Sequence, residues 1–257
     1  MLRKYSTSRS LKDNIQLGSL TAFSAGMVNV TSLIIFFAFT SNVTGHYAIL
    51  AEEISRGNWN QVLMVSSWLF LFFYGNFLAN FMVISTSKSN YIAHAIPLII
   101  EILCLLGVGM YGLYFYTETL LETEVLIGVM LFAMGLQNGL TASVSNAAVK
   151  TTHLTGLTTD LGILASMFTK KKYRENRDMR DKAKLLLSIA SSYLTGGVIA
   201  GLVYLHIGFK VFFVVCVFLI FIIFYDYSKF RFKLIRRKYR LREYHRNRGN
   251  AKVPVNL

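Results

Sequence analysis

The sequence TSNVTGH at residues 40–46 recurs as TTHLTGL at residues 151–157, and this recurrence predicts how the chain is organised. The Thr-Gly pair of the first stretch stands 111 positions before that of the second. Self-similarity at a long, fixed spacing is typical of a duplicated structural unit. We therefore predict a chain of two related halves, each carrying one of these two Thr-Gly motifs.

Further matches flank the motifs in the same order. Small and polar residues recur at an offset of 109 before the motifs and of 121 after them, in the pairs Gly26/Gly135, Asn29/Asn138, Gly75/Gly196 and Ala79/Ala200. Chance produces one Thr-Gly pair easily, but it does not easily produce this ordered set. The predicted units are repeat 1 at residues 15–116 and repeat 2 at residues 117–228, between an N-terminal segment, 1–14, and a basic tail, 229–257.

The composition favours a membrane protein. Of the 257 residues, 54% are hydrophobic and 16% are charged, whereas about a quarter of the residues in a soluble domain are charged. A spanning helix needs about 20 mostly apolar residues, and six stretches qualify, at about 16–39, 61–84, 92–116, 124–148, 185–205 and 208–227. No small-residue cleavage site follows the first stretch, which we read as a retained span and not as a signal peptide. We predict an all-α membrane protein with six transmembrane helices.

Each predicted repeat holds three spans. Because three is odd, the second copy enters the membrane from the opposite face, as in inverted-repeat transporters. After each motif comes an apolar stretch too short to span, at 47–54 and at 161–168. Gly permits a sharp backbone turn, and Thr, Asn and His side chains can bind the backbone groups that a break exposes. We predict a broken helix and a half-helix after the first span of each repeat, with the motifs near opposite faces.

The basic residues are distributed unevenly between the predicted loops. With a cytoplasmic N-terminus, 25 of the 27 Lys and Arg residues lie in cytoplasmic segments, and only Arg56 and Lys210 lie outside. By the positive-inside rule, both termini are cytoplasmic. A basic soluble chain would suggest nucleic acid, but here long apolar runs separate the basic segments, so nucleic acid is not the expected partner. We expect the tail to lie as an amphipathic helix on anionic lipids of the bilayer.

The motifs also carry a family resemblance. The stretches concerned are AGMVN at 25–29, TSNVTGH at 40–46, MGLQN at 134–138, KTTHLTG at 150–156 and TDLG at 159–162. Over about residues 15–225 the chain resembles the YoaK-type family of bacterial polytopic membrane proteins. The resemblance implies a multi-pass protein of the bacterial cell membrane with an uncharacterised activity, and it supplies no reaction. The chain departs from the family pattern in its extended basic tail and at Asn42 and His46.

Polar residues in and beside the motifs form a candidate pathway for a solute or ion. Half-helix N-termini attract anions, and unwound carbonyls bind cations. If the second half-helix enters the membrane, an ionised carboxylate there, Asp160, marks a site; if that helix lies on the cytoplasmic surface, Asp160 is only an N-terminal-turn residue stabilised by the helix dipole. The structural alternative is that the Thr-Gly pairs are turns and caps, and that the amides in the spans only bond neighbouring helices. The predicted pathway residues are Asn29, Asn42, Thr44, Gly45, His46, Gln137, Asn138, His153, Thr155, Gly156 and Asp160.

Two acidic residues are candidates for proton coupling. Glu101 falls near the middle of the third span, where it must be protonated, paired or exposed to water. Glu52 lies at the end of the apolar stretch after the first motif. Cys104 and Cys216 lie in apolar runs, where we expect packing and not a disulfide or a metal site. No Cys/His spacing suggests zinc, and neither a metal nor a cofactor is predicted.

Three functions fit these features. The first is a secondary transporter or permease for a small solute or ion, with alternating access between the repeats; no Walker-type loop is present. The second is a membrane-embedded enzyme acting on a lipid, for which the acid–base groups would be His46, Glu52, Glu53, His153 and Asp160, although no familiar catalytic motif supports it. The third is a non-catalytic scaffold or sensor, since small-xxx-small spacings such as Gly197/Gly201 favour close helix packing or a homodimer. We expect the transporter, without catalytic residues.

Overall fold

The computed structural model of the chain describes residues 9–85 and 91–250, which form helices joined by short connections, without a β-strand. The long helices are α1 (Leu11–Phe36), α3 (Trp59–Ser85), α4 (Tyr91–Tyr114), α5 (Leu120–Ser145), α8 (Arg177–Ile207) and α9 (Val211–Asn250). The short helices are α2 (Val43–Arg56), α6 (Leu154–Phe168) and α7 (Lys171–Arg174), and a 3₁₀ turn, Gly208–Lys210, joins α8 to α9. The predicted all-α class is confirmed.

Five stretches of the described residues are long and apolar enough to cross a membrane. They are α1, α3, His94–Tyr114 of α4, α5, and one stretch, Arg177–Lys229, that contains α8, the 3₁₀ turn and about half of α9. Large apolar side chains remain exposed along these helices, among them Phe70, Phe73, Phe77 and Phe81 of α3. Exposed apolar surface of this extent suits contact with lipid. The chain is therefore a multi-pass membrane protein.

The half-helices α2 and α6 are too short to span. They have 14 and 15 residues, which gives lengths of about 21 and 22 Å at 1.5 Å per residue. The hydrocarbon core of a bilayer is about 30 Å thick. Each half of the chain therefore contains one short helix directly after its first long helix, as predicted.

α1 and α5 end without the usual glycine. Phe37, directly after α1, has a φ of 54°, and Asn146, directly after α5, has a φ of 53°. Both residues adopt the left-handed conformation that stops a helix, for which Gly is the common choice. Because neither position carries that signal, the predicted first and fourth spans extend three residues beyond the helices.

Two pairs of long helices run parallel and in contact, α1 with α8 and α3 with α5. The contacts that fix these directions are Gly18–Ile189 and Val30–Gly201 for the first pair, and Gln61–Glu124 and Asn80–Ser143 for the second. Parallel neighbours that are not consecutive in the chain require a connection that returns across the molecule. In both pairs that connection contains other helices.

Glycines set the closest approach within each pair. A Cβ on Gly26 or Gly196 in the first pair, or on Gly75 or Gly135 in the second, would overlap a backbone carbonyl of the facing helix. The carbonyls concerned are those of Tyr193, Phe23, Phe132 and Phe72, in that order. These small residues therefore pack helices within one chain, which removes the main support for a homodimer through them.

The remaining long helices cross in the antiparallel sense. α4 and α9 are joined where Cys216 Sγ donates to the carbonyl of Ile102 at 3.6 Å. α1 and α5 cross near their middles, where Gln137 Nε2 donates to Ser24 Oγ, while Val149, just beyond α5, packs on an early turn of α1. We call the end of the molecule at which α1 begins the lower end. α8 also begins there, and α5 ends there.

α9 continues past the predicted tail boundary at residue 229 as one helix to Asn250. Lys229 donates a hydrogen bond to Gln16 of α1. The tail is therefore an extension of the last long helix and not a separate helix. Residues 1–8, 86–90 and 251–257, which include Lys88 and parts of the predicted N-terminal segment and tail, lie outside the described residues.

Candidate functional site

The chain turns back on itself after α1. Asn29 Oδ1 accepts hydrogen bonds from the backbone N–H and from the hydroxyl of Thr40, each at 3.0 Å, and its Nδ2 donates to Ser41 Oγ at 2.6 Å. α1 ends at Phe36, seven residues after Asn29, so the chain returns about 10 Å along the helix that it has just left. Asn29 is 2% exposed and Thr40 is fully buried. The first Thr-Gly motif therefore begins inside the protein.

The second half contains the equivalent hydrogen bonds. Asn138 Nδ2 donates to Thr152 Oγ1 at 2.6 Å, and Asn138 Oδ1 accepts from Thr151 Oγ1 at 3.1 Å. α5 also ends seven residues after its asparagine, at Ser145. The predicted break is thus a connection that folds back along its own long helix in each half, and one asparagine of that helix holds it.

Each connection ends at the N-cap of a short helix. Asn42 is the N-cap of α2, and its Oδ1 accepts a hydrogen bond from the backbone N–H of Gly45 at 3.2 Å. His153 is the N-cap of α6, where no side chain among the described residues makes a capping hydrogen bond. A Cβ on Gly45 or Gly156 would overlap the side chain of the N-cap residue, Asn42 or His153. Neither glycine has a positive φ, so these glycines provide space beside the cap and not the sharp turn that we predicted.

Both short helices begin near the middle of the molecule and run outward in opposite directions. α2 leads through the turn at Gly57 into α3 at the upper end, and α6 leads through α7 into α8 at the lower end. The cavity at their first turns is also lined by Phe72 and Tyr193, which lie 13 and 16 residues after the starts of α3 and α8. Those intervals correspond to about 20 and 24 Å of helix, so the first turns of α2 and α6 lie well inside the molecule and not at either end.

The two half-helix N-termini and the two asparagines line one cavity of about 620 Å³, which we call the central cavity. Six of the predicted pathway residues line it, namely Asn29, Asn42, Thr44, Asn138, His153 and Thr155. We predicted the two Thr-Gly motifs near opposite faces. They instead share this cavity, because each connection folds back along its own long helix towards the middle.

A second pocket lies at the lower end and shares Lys150 and His153 with the central cavity. We call it the lower pocket; Asp160 and Gly156 of α6 and Lys182 of α8 also line it. Lys182 Nζ lies 2.9 Å from Asp160 Oδ2, and the two side chains are 53% and 42% exposed. Asp160 therefore ties α6 to α8 beside this pocket, away from the lining of the central cavity.

His46 and Gln137 are buried and do not line the central cavity. His46 Nε2 lies 2.9 Å from the carbonyl oxygen of Phe39, and the His46 ring meets the ring of Trp68 edge to face, with centroids 5.5 Å apart. Gln137 bonds α5 to Ser24 at the crossing with α1. His46 thus contacts Trp68 of α3, and Gln137 joins α5 to α1.

The two predicted proton-coupling residues have opposite surroundings. Glu101 is fully buried in α4, and neither of its carboxyl oxygens has a hydrogen-bond partner among the described residues. Glu52 is exposed and forms an ion pair with Arg56 at 2.7 Å. Glu101 is thus an isolated buried carboxyl group, whereas Glu52 belongs to an exposed ion pair.

Cys104 and Cys216 do not form a disulfide. Cys104 is half-buried and Cys216 is buried, and both thiols are free. Within the described part of the chain, no group of three or more His, Cys, Asp or Glu side chains is arranged to hold a metal ion. The polar side chains that line the central cavity carry hydroxyls, amides, an imidazole and an ammonium group.

Several lining residues of the central cavity are not among the predicted pathway residues. They include Ser41, Thr152, Lys150 and Tyr193. The repeat offset signals the first two, because they are equivalent positions that bond equivalent asparagines. Lys150 is equivalent to Phe39, and Tyr193, which bonds Asn29 and Ser41, is equivalent to Phe72. Because their counterparts are different residues, comparison of the two halves does not identify Lys150 and Tyr193 as lining residues.

Residues 17–225 of the chain match the family described as a protein of unknown function (DUF1275). Neither a curated protein nor a solved structure matches the chain. The matched range contains every residue that lines the central cavity. It ends before the basic tail.

Proposed function

Because the chain belongs to the DUF1275 family, a family of unknown function, we propose its activity from its geometry: it is a secondary transporter or permease for a small solute or ion. The proposal rests on the central cavity, in which both Thr-Gly motifs meet at the middle of the molecule. Its volume of about 620 Å³ lies in the range of small-molecule sites, about 300–1,000 Å³. Access alternates between the two ends of the molecule.

Contacts between the two halves support an inverted repeat. If α1 corresponds to α5 and α3 to α8, then the α1–α8 pair corresponds to the α5–α3 pair. The correspondence extends to single residues, because Gly26 approaches the carbonyl of Tyr193 as Gly135 approaches that of Phe72. Since α1 and α5 are antiparallel, a two-fold axis at their crossing would relate the repeats 15–116 and 117–228. Substrate sites of inverted-repeat transporters lie at such an interface.

The last apolar stretch supports six spans. Arg177–Lys229 has 53 residues and would be about 80 Å long as one helix, more than twice the thickness of the hydrocarbon core. Gly208, with a φ of 55°, divides it into α8 and α9. Two spans from this stretch bring both termini to the same side. From the distribution of basic residues, we place that side in the cytoplasm of a bacterial cell, with the tail against anionic lipids.

The lower pocket supplies one end of the proposed pathway. Lys150 and His153 line both the lower pocket and the central cavity, so a solute that moves between the two passes these side chains. The Asp160–Lys182 ion pair holds α6 against α8 in the observed state. In the first half, α2 packs against α3 as α6 packs against α8 in the second half, and His46 contacts Trp68 in this interface. Opening one contact while the other stays closed gives alternating access.

Uptake into proteoliposomes across a panel of small solutes tests the proposal. We expect concentrative uptake by the wild type of at least one solute, and its loss in Thr155→Val and Asp160→Asn. Thr158→Val is the matched control, because Thr158 is exposed on the same helix and does not line the central cavity. Size-exclusion chromatography establishes that each variant is folded. Uptake no greater than in empty liposomes for every solute would refute transport.

Cysteine labelling tests the proposed topology. Asn58→Cys in the turn before α3 and Glu175→Cys before α8 lie at opposite ends of the molecule. In intact bacterial cells we expect a membrane-impermeant maleimide to label the first variant, and to label the second only after permeabilisation. Labelling of both variants in intact cells would contradict six spans with cytoplasmic termini.

A lipid-acting enzyme receives less support from the geometry. Of the acid–base groups considered for it, only His153 and Asp160 share a pocket, the lower pocket, and Asp160 is paired there with Lys182. His46 is buried against Trp68, and Glu52 is paired with Arg56 at an exposed site. Of the groups considered, only His153 lines the central cavity.

A further inference from the structure

The central cavity carries a charge on one side only. Lys150 is the one charged side chain among the described residues that line it, and no Asp or Glu lines it. No hydrogen bond or ion pair joins Lys150 to another described residue. The cavity therefore presents an ammonium group without a protein carboxylate to neutralise it.

The two halves differ at the positions that matter for this charge. Lys150 replaces Phe39, and His153 replaces Asn42, at an offset of 111 positions. Asn42 offers an oxygen to the backbone N–H of Gly45, whereas no side-chain oxygen caps α6 at His153 among the described residues. Both replacements remove apolar or acceptor groups and add donors. The second half of the cavity is thereby made positive, and the first half is not.

The carboxylates that share a pocket with Lys150 line the lower pocket and not the central cavity. Asp160 is bonded to Lys182 at 2.9 Å and, like Asp181, lines the lower pocket. Neither lines the central cavity. A cation in this cavity would meet Lys150 with no opposing charge, whereas an anion would be attracted by Lys150 and by the open N–H groups of α6.

We infer that the central cavity binds a small soluble anion, a carboxylate or an inorganic anion, against Lys150 and His153. The inference names the substrate class of the proposed transporter and rests on that function for passage across the membrane, but not for binding. Because the same two residues line the lower pocket, the anion is held where the pathway opens towards the lower end. A volume of about 620 Å³ would hold about 20 waters at 30 Å³ each, which leaves room for a small organic anion.

Thermal unfolding of the purified full-length chain in detergent tests this site. The probes are sodium acetate, sodium phosphate and sodium chloride, each replacing sodium HEPES at equal ionic strength, with choline as the cationic probe and glycerol as the neutral one. We expect at least one of the three anions to raise the unfolding temperature of the wild type by about 5 °C at saturation. Choline and glycerol should leave it unchanged.

Three lysine variants locate the effect. Lys150→Met should abolish the anion-dependent shift, and Lys150→Arg should retain it because the charge remains. Lys171→Met is the matched control, since the Lys171 side chain is 79% exposed on α7 and lines neither cavity. A full anion-dependent shift in Lys150→Met, or an equal shift with choline, would overturn the inference.

Two further outcomes are separated by design. If Lys150→Met does not fold, the unfolding temperature of the wild type is the deciding measurement. The absence of any anion-dependent shift in it overturns the site. Phosphatidylglycerol is added in parallel to phosphatidylcholine, and a shift with the anionic lipid but with none of the free anions would assign the cavity to a headgroup and overturn the small-anion site. Anion-dependent stabilisation without any flux would refute transport and leave the anion site intact. Uptake of neutral solutes without anion-dependent stabilisation would overturn the anion site and leave transport intact.

Discussion

Asn29 and Thr40 are joined by two hydrogen bonds, because Asn29 Oδ1 accepts from both the N–H and the hydroxyl of Thr40 at 3.0 Å. These bonds turn the chain back along α1 and bring the first turn of α2 to the central cavity. Asn138 and Thr151 are joined in the second half. The depth of the cavity therefore depends on one asparagine in each half, and not only on the Thr-Gly pairs that reveal the repeat.

Replacing Asn29 by Leu should destabilise the fold. Thr40 would lose the acceptor for a buried N–H and a buried hydroxyl, and each unsatisfied group costs about 1–3 kcal/mol. We expect Asn29→Leu to lower the free energy of unfolding by about 2–4 kcal/mol, and Asn138→Leu to lower it less, because Asn138 is less buried. Thermal unfolding in detergent measures both. The matched control is Asn60→Leu, at an exposed position of α3, and equal stability of all three variants would contradict the role of Asn29.

Adding a methyl group at the closest helix contacts should also destabilise the fold. A Cβ on Gly26 or Gly135 would overlap a carbonyl oxygen of the facing helix, and overpacking of this kind costs about 1–3 kcal/mol. We expect Gly26→Ala and Gly135→Ala to lower the yield of monodisperse protein in size-exclusion chromatography. Gly107→Ala in α4 is the control, since nothing lies within 4 Å of its added Cβ. Yields as high as that of the control would show that α1 and α8, and α3 and α5, can move apart without a loss of stability.

The parts of the fold that the sequence predicts are those that depend on local composition. Long apolar runs predict the long helices, and the recurring Thr-Gly motifs predict a short helix after α1 and after α5. The helix ends are less predictable, because Phe37 and Asn146 take a left-handed conformation that Gly would have signalled. The parallel pairing of α1 with α8 depends on contacts between residues more than 150 positions apart, and no local pattern contains that information.

The candidate site is only partly predictable for the same reason. Asn29 and Asn138 are identifiable as polar residues within apolar spans, but their bonds to Thr40 and Thr151 depend on how the connection folds. The sequence predicts Asp160 as a pathway residue if its helix enters the membrane. Asp160 lies in the second turn of α6, where it is paired with Lys182 of α8, and no local pattern identifies that partner. Whether these residues conduct a solute stays a prediction.

Substitution by Leu should change the free energy of unfolding differently at two buried glutamates. Glu101 has no hydrogen-bond partner among the described residues, so Glu101→Leu should leave the free energy of unfolding unchanged or raise it by about 1 kcal/mol. Glu124 is 8% exposed and accepts a hydrogen bond from Gln61 Nε2 at 2.9 Å. Glu124→Leu removes that acceptor and should cost about 1–3 kcal/mol.

Thermal unfolding of the two variants side by side measures this difference. A loss of stability in Glu101→Leu as large as that in Glu124→Leu would mean that the Glu101 carboxyl is bonded in the folded protein. Flux measurements add a second readout, because Glu101→Gln and Glu101→Leu should both abolish the response of uptake to a proton gradient if Glu101 carries the coupling proton. Coupling that persists in Glu101→Leu would exclude Glu101 from that role.

The Asp160–Lys182 pair should hold α6 against α8 without holding the protein folded. Both side chains are about half exposed, and an exposed ion pair contributes at most about 1 kcal/mol. Asp160→Asn should therefore keep the unfolding temperature while raising, by about fivefold, the rate at which a water-soluble maleimide labels Leu157→Cys, a position of α6 that is 5% exposed and lines the lower pocket. The measurement uses a background in which Cys104 and Cys216 are replaced by Ala. The exchanged pair, Asp160→Lys with Lys182→Asp, should restore the slow rate, whereas Glu175→Gln, which breaks the exposed Lys171–Glu175 pair, should not change it. Equal labelling rates in Asp160→Asn and the parent would mean that α6 is held against α8 by its apolar contacts alone.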